Sequence, residues 1–241
     1  MRHGAATPSE TTEFLKTAAP REFPFTERDF ERIAKRLYDE AGIDMPRSKE
    51  PLVYSRLAKR IRQLGLSSFA DYIRRVEDPE AEEIEHLLVA LTTNVTRFFR
   101  EPHHFDDLRE RVMPILAETA RRRGRVRMWS AGCSSGEEPY SMALTVLEAF
   151  PEARSADLKI LATDINTKVV KHARAGIYPR KALETAAPAL VAAWFEPEEP
   201  DALRASDALK QLIAFRTLNL MGDWPMKGRF DVIFCRNVTI Y

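Results

Sequence analysis

"MWSAGCSSGEEPYSMAL", Met128 to Leu144, is the stretch on which the fold turns. It runs from an apolar strand into a turn of small residues bounded by Gly132 and Gly136, and then into a helix whose first residues are Glu137 and Glu138. A strand, a glycine turn and a helix in that order let the backbone approach a ligand closely, with the amide dipole of the helix facing it. In dinucleotide-binding sheets such a turn receives a pyrophosphate. Two carboxylates at the anion-binding end would repel one.

A ligand held here is therefore expected to be cationic or neutral near the turn. S-adenosylmethionine meets that condition: it has no phosphate and carries an ammonium, a carboxylate and a sulfonium. The turn amides would take the carboxylate and a glutamate the ammonium. Acidic residues also stabilise the first turn of any helix through its dipole, so this stretch alone leaves both readings open. "KILATDIN" adds a second strand ending in Asp164, where nucleotide sites of parallel sheets place a carboxylate for both ribose hydroxyls, although an acid there can also serve as a helix cap.

Outward from this centre, "RVRMWSAG", "LKILATD", "AFRTLNL" and "FDVIFCRN" are short apolar runs, with helical patterns between the first three. That rhythm predicts an α/β fold with a mainly parallel, Rossmann-like sheet covered on both faces. A short helix, an acidic Pro-containing turn and "LRASDALKQLIAF" interrupt it and predict a small inserted subdomain at about 190–214. Residues 1–21 read as a flexible tail, 22–90 as a small all-helical domain, and 91–241 as the ligand-binding domain. In the helical part Thr26 caps a helix with Phe30, Ile33, Leu37 and Tyr38 on one face and Gly42 as its stop. A further helix is expected from near Pro79, and "TRFFREPHHFDDLRERVMPILAETARRRG" is expected to be helical on either side of a break at Pro102, as a long connection between the halves.

Composition bounds the rest. The 241 residues are 44% hydrophobic and 30% charged, with a formal net charge of +1, so no global field selects nucleic acid or an acidic membrane. Cys133 and Cys235 read as free thiols of a reducing cytoplasm. No apolar run is long enough for a bilayer, so no direct membrane insertion is expected. His103 and His104 lack ligand-spaced partners, so no metal is expected. "PRSKEPLVYSRLAKRIRQ" sets six cations against one anion, with Arg56, Lys59 and Arg60 together on a helix face and Leu57 and Ile61 turned inward.

On "LTTNVTRFFREPHHF", "WSAGCSSGEEPYSMAL", "LATDIN" with "ARAGIY", and "FDVIFCRNVTIY", the chain resembles the CheR-type chemotaxis receptor protein-glutamate methyltransferases over roughly residues 28–241. The resemblance implies a class I methyltransferase sheet and methyl transfer from S-adenosyl-L-methionine to glutamates on the cytoplasmic helices of a chemoreceptor. The products would be methyl esters and S-adenosyl-L-homocysteine. It implies cofactor contacts at Asn94, Thr96, Arg100, Gly132, Glu138, Asp164, Asn219, Leu220, Arg236 and Asn237, with Arg100 and Tyr241 as catalytic residues. It further implies receptor docking on Arg56, Lys59 and Arg60, a cytoplasmic monomer, and no nucleic-acid partner. Family members continue with a helix and closing strands past the position of Tyr241. That gives a second expectation, a cofactor- or receptor-binding regulatory module without turnover.

Overall fold

The computed structural model describes residues 21–92 and 94–238; the tail expected over 1–21, Arg21 apart, and Tyr241 lie outside the described residues. The helical part holds α1 (Glu27–Ala41), α2 (Glu50–Gln63), α3 (Phe69–Glu77) and α4 (Glu83–Leu91). Thr26 starts α1 with a reciprocal cap: its hydroxyl accepts from the Asp29 amide (3.2 Å) and its own amide donates to Asp29 (2.9 Å). Gly42, at φ +65°, stops it. Phe30, Ile33 and Leu37 enter one core with Val53, Leu57 and Ile61 of α2, Phe69 and Tyr72 of α3, and Leu87 and Leu91 of α4. Each such side chain contributes roughly 1.5–3 kcal/mol on burial. Tyr38, expected on that face, is 60% exposed, because the 30-33-37 stripe already fills the contact and position 38 falls at its rim.

Helix α4 starts at Glu83 rather than near Pro79: a separate turn of 3-10 helix, Pro79–Ala81, ends at Glu82 with φ +51°. The connection between the halves also differs from expectation. Residues 94–102 are not helical, and Phe99 and Glu101 take left-handed φ values of 50° and 55°, which no helix can accommodate. The segment is pinned by Phe98, buried edge-on against Tyr178 (5.0 Å) and Phe195 (6.1 Å), while its carbonyl accepts from Thr185 Oγ1 (2.8 Å). Helix resumes as α5 (His103–Asp107) and α6 (Met113–Arg121), joined by one π-helical turn, Leu108–Val112. Pro114, in the first turn of α6, has no amide hydrogen to continue the normal ladder, and the Met113 amide reaches back to Leu108.

The sheet is formed by β1 (Val126–Ala131), β2 (Leu158–Asp164), β6 (Ile213–Thr217) and β7 (Val232–Phe234), all parallel, in the order β6-β2-β1-β7. Met128 registers with Ile160 on one side and Val232 on the other. The order reverses direction at β1, so a crevice opens at its carboxyl end. Helix α7 (Glu137–Ala149) crosses from β1 to β2 and buries Met142, Ala143, Leu144, Val146 and Leu147 in the sheet core; α8 (Thr167–Ala175) follows β2. On the opposite face Trp129 packs on Trp224 (4.8 Å) and Phe230 (5.2 Å), so it is covered by the loop before β7.

Between α8 and β6 lies a small antiparallel sheet of β3 (Ile177–Pro179), β4 (Phe195–Glu198) and β5 (Ala202–Ala205), order β3-β5-β4, with α9 (Pro188–Trp194) leading into β4. Its strands run from 177 to 205, earlier than the expected 190–214, since β3 follows α8 directly. Helix α10 (Asp207–Lys210) then returns the chain to the main sheet.

Candidate functional site

The turn after β1 is held from two sides. Gly132 and Gly136 have φ of 80° and 101°, in the region that favours glycine. A Cβ on Gly136 would stand 2.6 Å from the Tyr178 hydroxyl and 2.7 Å from Ala173 Cβ. Tyr178 in turn donates to the Ser135 carbonyl (2.7 Å), and Tyr140 donates to the Ala173 carbonyl (3.0 Å). "ARAGIY" is thus the back support of the turn. In front, the Gly132 and Cys133 amides both donate to the Thr163 carbonyl (2.8 Å each), Ser134 donates to Asp164 (2.8 Å), and Gly136 donates to Cys133 (3.0 Å). This corrects the expectation that the turn amides take a ligand carboxylate: four of them are satisfied internally, three by β2, which runs alongside, and the fourth within the turn.

The two glutamates divide. Glu137 accepts from Ser135 Oγ (2.7 Å) at the helix start. Glu138 turns inward, accepting from Ser130 Oγ (2.7 Å), with its other oxygen 3.7 Å from Arg236 Nη1. Burial raises its pKa above the usual carboxylate value, against the opposing pull of Ser130 and Arg236. Asp164, 8% exposed, accepts from the amides of Asn166 (2.9 Å) and Ser134 (2.8 Å), one on each oxygen. Its pKa too is raised by burial, with those amides opposing. Each oxygen keeps a second lone pair for a hydroxyl.

Arg236 lies between the rings of Phe105 (5.3 Å) and Phe234 (5.7 Å), its side chain 10% exposed. Nη2 donates to the Arg100 carbonyl, while Nε and Nη1 are buried without a hydrogen-bond partner. A buried guanidinium with two unsatisfied donors suits a carboxylate. Arg100 itself donates to the Val95 carbonyl (2.9 Å) and is partly exposed. Asn219 donates to the Glu40 carbonyl at the end of α1 (2.6 Å) and accepts from the Met221 amide (3.0 Å), so its side chain ties its loop to the helical part.

Asn94, Thr96, Arg100, Gly132, Glu138, Asp164, Asn219, Leu220, Arg236 and Asn237 all line one cavity of about 720 Å³, within the usual range for a small-molecule site. Gly42, Ile43, Met45 and Leu52 of the helical part form another wall. The sequence reading missed Ser130, Ser134 and Asn166, which bond the two carboxylates; the "DIN" after β2 was the visible signal for the last. Among the described residues no group of three His, Cys, Asp or Glu could hold a metal ion, and no helix is long and apolar enough to cross a membrane.

Two of the three residues of the expected docking face have partners within the helical part. Arg60 makes a two-point ion pair with Glu83 (2.8 Å each), which is only 2% exposed. Arg56 donates to the carbonyls of Ala90 (3.2 Å), Leu91 (3.2 Å) and Thr92 (3.1 Å). Lys59 alone of the three remains exposed. Arg47 and Arg62 pair with Glu27 and Glu22, acids outside the window whose charge was counted.

Residues 94–241 match the family described as "CheR methyltransferase, SAM binding domain", and residues 28–92 match "CheR methyltransferase, all-alpha domain". The chain belongs to the CheR methyltransferase family. Its cofactor is S-adenosylmethionine, and the residues of the cavity fit it: a buried carboxylate at the end of β2, an acid near the turn, and unsatisfied guanidinium donors for an amino-acid carboxylate. Among relatives, a probable chemotaxis protein methyltransferase of Rhizobium etli is 53% identical over 209 residues, 85% of this chain and 78% of that protein. Chemotaxis protein methyltransferase 2 of Pseudomonas aeruginosa is 44% identical over 228 residues, 91% and 78% of the two chains. The chemotaxis protein methyltransferase of Salmonella typhimurium is 40% identical over 241 residues, 97% and 80%.

Proposed function

We propose that this CheR-family methyltransferase esterifies glutamate side chains on the cytoplasmic helices of chemoreceptors, acting in the cytoplasm in chemotactic adaptation. The observation that carries the reading is the convergence of Glu138, Asp164 and Arg236 on one cavity whose lining also includes the cations Lys49, Arg97 and Arg100. Cations there favour an anionic acceptor over an ammonium. The names of the relatives supply the chemotactic setting.

In this reading Asp164 accepts the ribose hydroxyls, Glu138 holds the ammonium and Arg236 the carboxylate. Asn94, Thr96, Gly132, Asn219, Leu220 and Asn237 complete the walls. The bound cofactor supplies an electrophilic methyl on a sulfonium. A glutamate acceptor has a reference pKa of about 4.3, so it arrives ionised and needs no general base. Opposite charges are neutralised in the transfer, which a water-poor cavity favours. Arg100 aligns the acceptor carboxylate by two parallel hydrogen bonds; tighter ground-state stabilisation would slow the reaction, so its role is orientation. Tyr241 is assigned its catalytic role by its match to the family motif alone, and Lys59 is the exposed cation of the docking face. We also propose that residues 22–90 and 91–241 act as docking and transfer domains.

Incubation with methyl-labelled cofactor and receptor helices should give base-labile label on glutamate. Base-stable label, or label elsewhere, overturns the acceptor assignment. Calorimetric binding of S-adenosylhomocysteine with no transfer would favour the binding-module reading instead.

A further inference from the structure

Arg56 stands on α2, outside the cavity, and the sequence reading gave it to a partner. Its geometry gives it a different task. Nη1 is within 3.1–3.2 Å of the carbonyls of Ala90, Leu91 and Thr92, where α4 ends and the chain leaves for the cofactor-binding half. Carbonyls of a last helical turn have no partner within the helix, and a cation there also meets the negative end of its dipole. The Thr92 hydroxyl carries the connection on: Oγ1 accepts from Asn166 Nδ2 (2.9 Å) and, at a longer 3.4 Å, from Asn94 Nδ2.

Asn166, 2% exposed, caps α8 with its side-chain oxygen and donates its own amide to Asp164 Oδ1 (2.9 Å). The second Asp164 oxygen accepts from the Ser134 amide (2.8 Å), and Ser134 Oγ donates to the Asn94 carbonyl (3.2 Å). These bonds form an arc from α2 to Asp164 and back to the segment carrying Asn94. Thr92, Asn94, Ser134 and Asp164 all line the cavity.

We propose that Arg56 is a positioning residue for the cofactor: by clamping the end of α4 it holds Thr92, and through Thr92 and Asn166 it sets the Asp164 carboxylate. The inference rests on the assignment of Asp164 to the cofactor pocket. Arg56→Met removes the clamp without adding charge, and should weaken S-adenosylhomocysteine binding by about tenfold in calorimetry, the order expected for hydrogen bonds made by a charged group. The KM for S-adenosylmethionine should rise in parallel with little change in kcat. Arg56→Lys, which keeps a cation at the helix end, should recover part of the loss. Arg32→Gln removes an exposed ion pair to Glu77 in the same helical part and should leave affinity at the parental value.

Should Arg56→Met fold poorly, Thr92→Val deletes the next link, together with the longer bond from Asn94 Nδ2 (3.4 Å), and should give a similar loss. If Arg56→Met or Thr92→Val is folded and binds within twofold of the parent while Asp164→Ala loses binding, the positioning role is wrong. If Asp164→Ala also binds normally, the site assignment itself fails.

Discussion

Glu138 answers to two opposed demands. Folding favours its protonated form, since burial raises its pKa even with Arg236 beside it, whereas a cationic ligand favours the ionised form. The folded state holds the proton more tightly than the unfolded chain, so the stability Glu138 contributes is fully present below the ordinary carboxylate pKa. It declines as pH rises through the higher folded value. Glu138→Gln, which can still accept from Ser130, should therefore melt at or above the parental temperature at pH 7 without ligand, the gap closing in acid. Its affinity for S-adenosylhomocysteine should fall about tenfold. Melting curves across pH and calorimetry read the two effects; lower stability at pH 7 with unchanged affinity would mark the carboxylate as structural. Glu138 and Asp164 could be picked out in the sequence because one follows the glycine turn after β1 and the other closes the apolar run of β2. Glu83 could not, because its partner Arg60 lies in another helix and nothing local distinguishes it from a solvated acid.

At the scale of elements, the strand-turn-helix at 126–149 depends on room behind Gly136. An alanine there would adopt a φ of 101° and press on Tyr178 and Ala173, so Gly136→Ala should cost about 2–4 kcal/mol in denaturant unfolding. A loss under about 1 kcal/mol would mean that α8 can shift away. The main strands were legible because buried parallel strands are unbroken apolar runs. The 94–102 segment was not: Phe98 and Phe99 give it a helix-like pattern, but long-range burial of Phe98 overrides local preference. Strands β3, β4 and β5, of three, four and four residues, are too short for a period to show. The turn amides were misjudged because the Thr163 carbonyl that takes two of them comes from a neighbouring strand.

Across the whole molecule, the cavity has walls from both halves, so ligand binding should tie their unfolding together. S-adenosylhomocysteine at a hundredfold excess over its Kd should add about 2.7 kcal/mol, raising the midpoint by roughly 5–10 °C. Trp129, Trp194 and Trp224 all follow residue 92, so tryptophan emission follows the sheet half while helicity weights both. The two signals should rise together; a rise confined to the tryptophan signal would mean that the helical wall does not grip the ligand.

The contact between Asn219 and the Glu40 carbonyl bears on how the two halves can change over time. Beside it, Met221 Sδ lies 2.7 Å from where a Cβ on Gly42 would stand, so the loop after β6 lies directly against the stop of α1. An exchange of helical parts between relatives, by recombination or in the laboratory, would have to keep the end of α1 in place for Asn219, whose partner there is a backbone carbonyl. Lineages are then free to vary the outward faces of α1 and α2 far more readily than this inner seam.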